Sequence, residues 1–303
     1  MLSCVLRAGA LLAAVACFAP ASPASARTLP QIGIADQKPD MFGDARMATL
    51  GIKHVRQTVS WDALRHGWQR GELDVWMQGA LQRQTEPLIT FGHSRVHSRL
   101  LPSPRRFRRE FRAFRARYPW ATTFATWNEA NHCGEGTCRR ARLVAAYYRQ
   151  LRAECKTCTI LAAEVLDTPS MARWMRDFRR ALGYMPRLWG LHNYVEVNRF
   201  KTTSLRRMLR LMGRGRLWLT ETGGLVRRTN KSKTAIPEGT GHAARVLRYI
   251  FDRVVKRYPK IERVYIYHWN AGPPKTTWDS GLITYDGRER GAYWVLQRRL
   301  LGG

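Results

Sequence analysis

Long apolar runs are missing from this sequence beyond its N-terminus. None reaches the roughly 18 residues that a membrane-spanning helix needs. Glycine at 24 and proline at 14 of 303 residues are too ordinary for a collagen-like or low-complexity chain. No G-x-G-x-x-G follows the first strand-like run, which removes the commonest dinucleotide signature. No H-E-x-x-H or comparable ligand spacing occurs, so no essential metal and no cofactor is expected. Zinc-finger, helix-turn-helix and RNP-type motifs are absent too, so no specific nucleic-acid partner is expected. Acidic residues are scarce: 22 Asp and Glu face 52 Lys and Arg, a formal net charge of +30.

What is present can build a core. Hydrophobic residues make up 45% of the chain, which excludes wholesale disorder and suits one large domain or two small ones. Residues 1–26 read as an export signal. Arg7 supplies a weak basic start, Ala8 to Val15 an apolar stretch, and Ala24-Ser25-Ala26 a small-residue cleavage site. A membrane anchor is the alternative, but the stretch is short and Pro20 and Pro23 break it. The mature chain, 27–303, is then expected outside the cell, or in the periplasm of a host with an outer membrane, free of the membrane and still near +29.

Cleavage would remove Cys4 and Cys17 and leave Cys133, Cys138, Cys155 and Cys158. An even number in an exported chain suggests disulfides, although the spacing also imitates a zinc ribbon. Val144, Tyr147, Tyr148 and Leu151 recur at helical spacing between the two pairs. A helix of sixteen residues spans about 24 Å and keeps the pairs apart. Two local bridges, Cys133–Cys138 and Cys155–Cys158, fit that better than one metal site.

From residue 28 onward, short apolar runs alternate with longer amphipathic stretches. The strand-like runs are 31–35, 54–59, 87–91, 122–127, 159–164, 188–192, 216–220 and 264–269. Several are nearly continuously apolar, as strands buried on both faces are. Helices are expected at 104–118, 170–182, 204–212, 242–258 and 291–301. In the first, Phe107, Phe111, Phe114 and Tyr118 form a stripe that suits core packing rather than a ligand platform, with Ser103 placed to cap and Pro104 at the first helical position. Eight units of about 33 residues, with no linker dividing them, predict a single (β/α)8 TIM barrel of α/β class. A doubly wound open sheet is the alternative.

In such a barrel, functional groups gather at the C-terminal ends of the strands. Those positions hold Asp36, Arg56, His93, Trp127-Asn128-Glu129, Glu164 and Asp167, His192-Asn193-Tyr194, Thr220-Glu221, and His268-Trp269. Glu129 and Glu221 lie 92 residues apart, three units, on the fourth and seventh strands, nearly opposite across the barrel mouth.

This constellation resembles the clan-A retaining glycoside hydrolases, the 4/7 superfamily, with the cellulase-like members nearest in appearance. Trp127-Asn128-Glu129 resembles the family's strand-four Asn-Glu motif, and Thr220-Glu221-Thr222-Gly223 its strand-seven Thr-Glu-x-Gly motif. The resemblance implies that Glu129 is the acid/base and Glu221 the nucleophile. Arg56, His192-Asn193-Tyr194 and Trp269 resemble the family's strand-two Arg, strand-six His-x-Tyr and strand-eight Trp, which implies substrate binding for Arg56, His192, Tyr194 and Trp269.

The chemistry agrees with that pattern. Hydrolysis with retention needs one carboxylate to attack the anomeric carbon and one carboxyl group to protonate the leaving oxygen. Arg56 and Tyr194 would keep Glu221 ionised, and the neighbouring anion would raise Glu129. Asn128 would bind the sugar 2-hydroxyl, and Trp269, with Trp127 and Trp278 behind it, would offer flat faces to sugar rings. Glu164 and Asp167 read as loop or capping residues. Function is therefore expected to be hydrolysis of a β-glycosidic bond in a polysaccharide or oligosaccharide. A catalytically silent basic barrel that binds an acidic glycan is the alternative. The net charge reads either as a solvated basic exterior or as attraction to an acidic polymer, whether a cell-wall polysaccharide, a uronic-acid glycan or nucleic acid, and a basic nucleic-acid-binding protein is a third alternative, against which the export signal argues. Sugar, linkage and oligomeric state are open.

Overall fold

A computed structural model describes residues 29–229 and 235–302, so the expected export signal at 1–26 lies outside the described residues. Nine parallel strand segments make one sheet: β1 (Gln31–Ala35), β2 (His54–Ser60), β3 (Glu86–Gly92), β4 (Thr123–Ala125), β5 (Thr159–Leu161), β6 (Glu164–Leu166), β7 (Leu188–His192), β8 (Arg216–Thr222) and, after the short β9 (Arg227–Arg228), β10 (Ile261–Tyr267). β9 pairs instead, antiparallel, with β11 (Trp278–Asp279) above the barrel strands.

β5 and β6 are two halves of the predicted fifth strand. The first half pairs with β4 and the second with β7. Between them, Ala162 N–H donates to Leu188 O at 2.9 Å, and Ala163 O accepts from Gly190 N–H at 3.0 Å. The sheet thus closes through residues 159–166, and the open-sheet alternative falls. Nine segments occupy the eight positions of a TIM barrel.

Helices follow the strands as expected: α1 (Ala45–Thr49), α2 (Gly67–Gln82), α3 (Pro104–Arg117), α4 (Ala141–Glu154), α5 (Met171–Leu182), α6 (Tyr194–Val197), α7 (Thr203–Met212), α8 (Thr240–Tyr249), continuing through a π turn into α9 (Val255–Arg257), and α10 (Gly291–Leu301). Ser103 Oγ accepts from Arg106 N–H at 3.2 Å and starts α3. Its stripe is core: Phe107, Phe111 and Phe114 all meet Phe91 of β3 edge-on, at 5.5, 5.9 and 5.6 Å between ring centres.

Strand alternation divides the apolar residues into two cores. Val55, Ile89, Phe91, Phe124, Val165, Trp189, Leu191 and Leu219 point outward into the shell under the helices. Ala35, Leu88, Ala125, Leu161, Leu188, Trp218 and Tyr265 point inward and plug the barrel. The next inward positions toward the C-terminal mouth are polar: Arg56, Thr90, Glu164, His192 and Thr220, all buried. The site is built on this layer.

The two disulfides form as expected, Cys133–Cys138 after β4 and Cys155–Cys158 after α4. No described helix is long and apolar enough to cross a membrane.

Candidate active site

Arg56 is the hub of the site. It projects inward from β2 and is fully buried. Nε donates to Glu164 Oε1 at 2.9 Å, with Nη2 on the other oxygen of the same carboxylate. Nη1 donates to Glu221 Oε1 at 2.5 Å, and Nη2 also reaches Asn128 Oδ1 at 3.0 Å. One guanidinium therefore ties together four barrel positions. A buried cation costs several kcal/mol unless its donors are matched by acceptors, and here the carboxylates supply them.

Glu164 is the residue whose position differs most from expectation. It is no loop or capping group. It opens β6, fully buried, and also accepts from Thr90 Oγ1 at 2.9 Å. Burial alone would raise its pKa, but Arg56 and His192 pull it down to about 2. Gly190 makes the room: a Cβ there would stand 2.6 Å from Glu164 Cγ and 2.7 Å from Thr220 Oγ1. Sequence carried a signal for this pair, since an Arg and a Glu on strands expected to be buried need each other. Asp167, by contrast, is a turn residue that accepts from Glu196 N–H at 2.7 Å, and burial pushes it up to about 7.

Glu129 lies in the turn beyond β4. Its φ of +37° is in the left-handed region that non-glycine residues avoid. Backbone bonds hold it there: Asn128 N–H donates to Phe91 O at 2.6 Å, Ala130 N–H to Glu164 O at 2.8 Å, and His132 N–H to Glu129 O at 2.7 Å. Strain kept by such pinning is often found at functional sites. The Glu129 side chain is partly exposed to the mouth.

Glu221 reaches the mouth through an irregularity in β8. Trp218 and Thr220 point inward, so strict alternation would send Glu221 outward. The pairing register slips between Leu191 and His192 on one side and between Val264 and Ile266 on the other. That bulge turns Glu221 inward as well. Tyr194 Oη donates to its Oε2 at 3.3 Å. Burial, then Glu221, raises the Tyr194 phenol well above its ordinary range, so it stays a donor.

His192 sits between the three carboxylates. Nδ1 is 3.1 Å from Glu129 Oε1 and 3.9 Å from Glu221 Oε2, and Nε2 is 3.4 Å from Glu164 Oε2. Burial works against a charged ring, but Glu221, Glu129 and Glu164 outweigh it and push His192 up to about 10. The same contact acts on Glu129. Burial would raise its carboxyl, yet His192, with His132 and Arg56, holds it below its ordinary value. The expectation that Glu221 would raise Glu129 is thus reversed, because the cation is nearer than the anion.

Glu129, His192 and Glu221 bring one ligand atom each within 4.8 Å of one another. That set could hold a metal by geometry. Between two carboxylates the His192 ring also serves as a donor, an arrangement suited to proton handling.

Trp269 does not meet its expectation. It is fully buried, with Nε1 donating to Asp44 Oδ2 at 2.9 Å and the ring edge-on to Tyr293, so no face is open to a sugar. Trp127 is equally buried against Tyr147. Trp278 stays half-buried, edge-on to Tyr194 at 4.9 Å, and Tyr267 at the end of β10 is half-buried beside the same tyrosine. Asp36 pins the chain beyond β10 by accepting from Trp269 N–H at 3.0 Å. His268 is buried, and burial brings it down to about 4.

One residue escaped sequence reasoning altogether. Glu135, on the loop closed by Cys133–Cys138, is buried and accepts from Asn128 Nδ2 at 3.0 Å. Its other oxygen takes His93 Nδ1 at 3.0 Å, and His93 is raised by that bond. Asn128 is therefore oriented at both ends, carbonyl to Arg56 and amide to Glu135. No motif announces such a loop carboxylate.

No protein-family model and no curated protein matches the sequence. Solved structures do match the fold. Xylanase XynB from Paenibacillus barcinonensis superposes with a TM-score of 0.64 at 11% identity, over 88% of this chain and 95% of that one. A fungal β-1,4-galactanase gives 0.65 at 12%, over 89% and 100%. GH5_18 from Streptomyces cattleya, in complex with GlcNAc, gives 0.61 at 15%, over 91% and 81%. The chain thus shares the (β/α)8 barrel fold of these glycoside hydrolases. In this fold the mouth of the barrel carries the cluster built on Arg56.

Proposed function

We propose that the protein hydrolyses β-glycosidic bonds with retention of configuration, with Glu221 as nucleophile and Glu129 as acid/base. The observation that carries this reading is the approach of the two carboxylates: an oxygen of each lies within 4.8 Å of the other, across the mouth. Retaining hydrolysis needs its two carboxyl groups about 5–5.5 Å apart, whereas inversion needs about 6.5–9.5 Å to admit a water.

Each part then has a task. Arg56 holds Glu221 Oε1 and orients the carboxylate. Oε2, which accepts the long Tyr194 bond and has His192 Nδ1 at 3.9 Å, attacks the anomeric carbon. The leaving oxygen takes a proton from Glu129. That proton belongs to the Glu129–His192 pair: His192 carries it at rest and passes it through the 3.1 Å contact as the bond breaks. In the second step Glu129 deprotonates the incoming water, which attacks the glycosyl-enzyme and releases Glu221. Asn128 Nδ2 keeps one hydrogen beyond its bond to Glu135, and that hydrogen meets the sugar 2-hydroxyl. Trp278 and Tyr267 replace Trp269 as apolar faces for the sugar ring. Both disulfides support work in an oxidising, extracytoplasmic compartment.

The test is Glu221→Ala with aryl β-glycosides. Turnover is expected to fall by about 10⁴-fold or more, and added azide to restore part of it as the α-glycosyl azide. Wild-type turnover in that variant rejects the reading.

A silent barrel that binds an acidic glycan is the second reading. What favours it is the direction of the Glu129 shift, since His192 holds that carboxyl below its ordinary value, the opposite of what an acid needs. Equal glycan binding by the wild type and by Glu129→Gln/Glu221→Gln, with no wild-type turnover on any glycan, decides for it.

A further inference from the structure

Outside the mouth, a groove of about 1010 Å³ lies between α4 and α5, at the top of the range for ligand clefts. It starts where the candidate site ends. Asn131 and Cys133, two and four residues beyond Glu129, form part of its wall, and the Cys133–Cys138 bridge fixes that wall in place. The other wall is α5. Arg139, Arg142, Arg173 and Arg180 line the groove. Arg180 pairs with Asp177, the one acid in the lining, at 3.0 Å. Arg139, Arg142 and Arg173 are exposed and, among the described residues, have no hydrogen-bond or ion-pair partner on their guanidinium groups. This differs from several other arginine clusters on the helices: Arg108 and Arg112 share Glu154, and Arg117 takes Asp74.

We propose that this groove binds the carboxylates of a uronic-acid glycan whose chain runs out of the barrel mouth past Asn131. The inference rests on the reading of the mouth as a glycosidase site and names its substrate class. Three guanidinium groups, from the turn before α4, from α4 and from α5, facing one trough, suit successive carboxylates, since the planar fork of Arg matches a carboxylate with two parallel bonds. A nucleic acid suits the groove less well. Single strands are held by stacking on exposed aromatic rings. The one aromatic side chain in the lining, Trp174, is buried with its Nε1–H on Thr137 O at 3.1 Å.

The experiment compares two ligands of one backbone, a β-1,4-linked oligoglucuronate hexamer and cellohexaose, which differ only in the carboxylates. Binding is measured by calorimetry on Glu129→Gln/Glu221→Gln, so no turnover is needed. The groove variant adds Arg139→Ser, Arg142→Ser and Arg173→Ser. A control of equal charge adds Arg207→Ser, Arg210→Ser and Arg214→Ser, on and just beyond α7. The groove variant is expected to weaken oligoglucuronate about tenfold or more, the control about threefold or less, and neither to change cellohexaose. Equal losses in the two variants would reduce the effect to net charge and overturn the proposal. So would thymidine oligonucleotides of matched charge that bind as tightly as the glucuronate and lose as much in the groove variant. Azide rescue of Glu221→Ala reads the mouth separately, so the groove and the hydrolytic reading can fail independently.

Discussion

His192 Nδ1 lies 3.1 Å from Glu129 Oε1, while the far nitrogen of the same ring lies 3.4 Å from Glu164. The ring is thus held as a cation by acids on both sides. A group raised by folding adds stability that is complete below its unfolded pKa and lost as pH rises to its folded one. For His192 that window runs from about 6.5 up to about 10. Glu164 is depressed by folding, so its share is present above about 4.5 and lost as pH falls toward about 2.

Glu164→Gln keeps the shape and removes one anion. The His192 titration, followed by NMR of its ring Cε1–H, is expected to move down by roughly 1–3 units, the effect of losing an opposite charge at this range. The alkaline limb of kcat should move with it. An unmoved His192 would remove Glu164 from the proton chemistry and leave it a structural acid.

Arg56→Ala strips the partner from two carboxylates. A buried ion pair broken on one side costs about 3–5 kcal/mol, because the remaining charge has no compensation. Urea unfolding at neutral pH should register that loss. Arg56→Lys retains the charge but cannot serve Glu164 bidentately together with Glu221, so an intermediate loss is expected, with reduced turnover.

Gly190→Ala tests the floor of the site. The new methyl would stand 2.6 Å from Glu164 Cγ, closer than carbon atoms approach, so either Glu164 or β7 must move. Overpacking of this kind costs about 1–3 kcal/mol. The distinguishing result is a lowered His192 pKa in a folded variant, since only displacement of Glu164 produces it.

Cys133→Ser/Cys138→Ser releases the loop that carries Glu135. Loop-closure entropy for so short a ring sets the stability loss near about 2 kcal/mol. Loss of the Glu135 bond also frees the Asn128 amide. A fall in kcat/KM matched by Glu135→Gln in the intact disulfide is expected. If Glu135→Gln leaves kinetics unchanged, the loop serves as a wall and not as a support for Asn128.

Much of this architecture is legible along the chain. Apolar runs near Gln31, Leu188 and Arg216 begin or span the strands found there, because a strand buried on both faces is apolar over much of its length. The stripe of Phe107, Phe111 and Phe114 marks α3, and the spacing of the four late cysteines marks two local bridges. Trp269 shows the limit of such reading. A tryptophan just past a strand end is equally compatible with a sugar platform and with a core residue, and only its contacts with Asp44 and Tyr293 separate the two.

By itself the sequence determined the number of barrel positions, their order and the pair of strands that bear Glu129 and Glu221, since periodicity and burial are local properties of the chain. The tertiary structure decided which way those residues face. Glu221 turns inward because the register of β8 slips against both neighbours. Glu164 becomes part of the site because Arg56, 108 residues earlier, enters the same layer. The charge on His192 follows from three acids drawn from three other strands or turns. These outcomes depend on contacts between distant segments, and no window of sequence contains them.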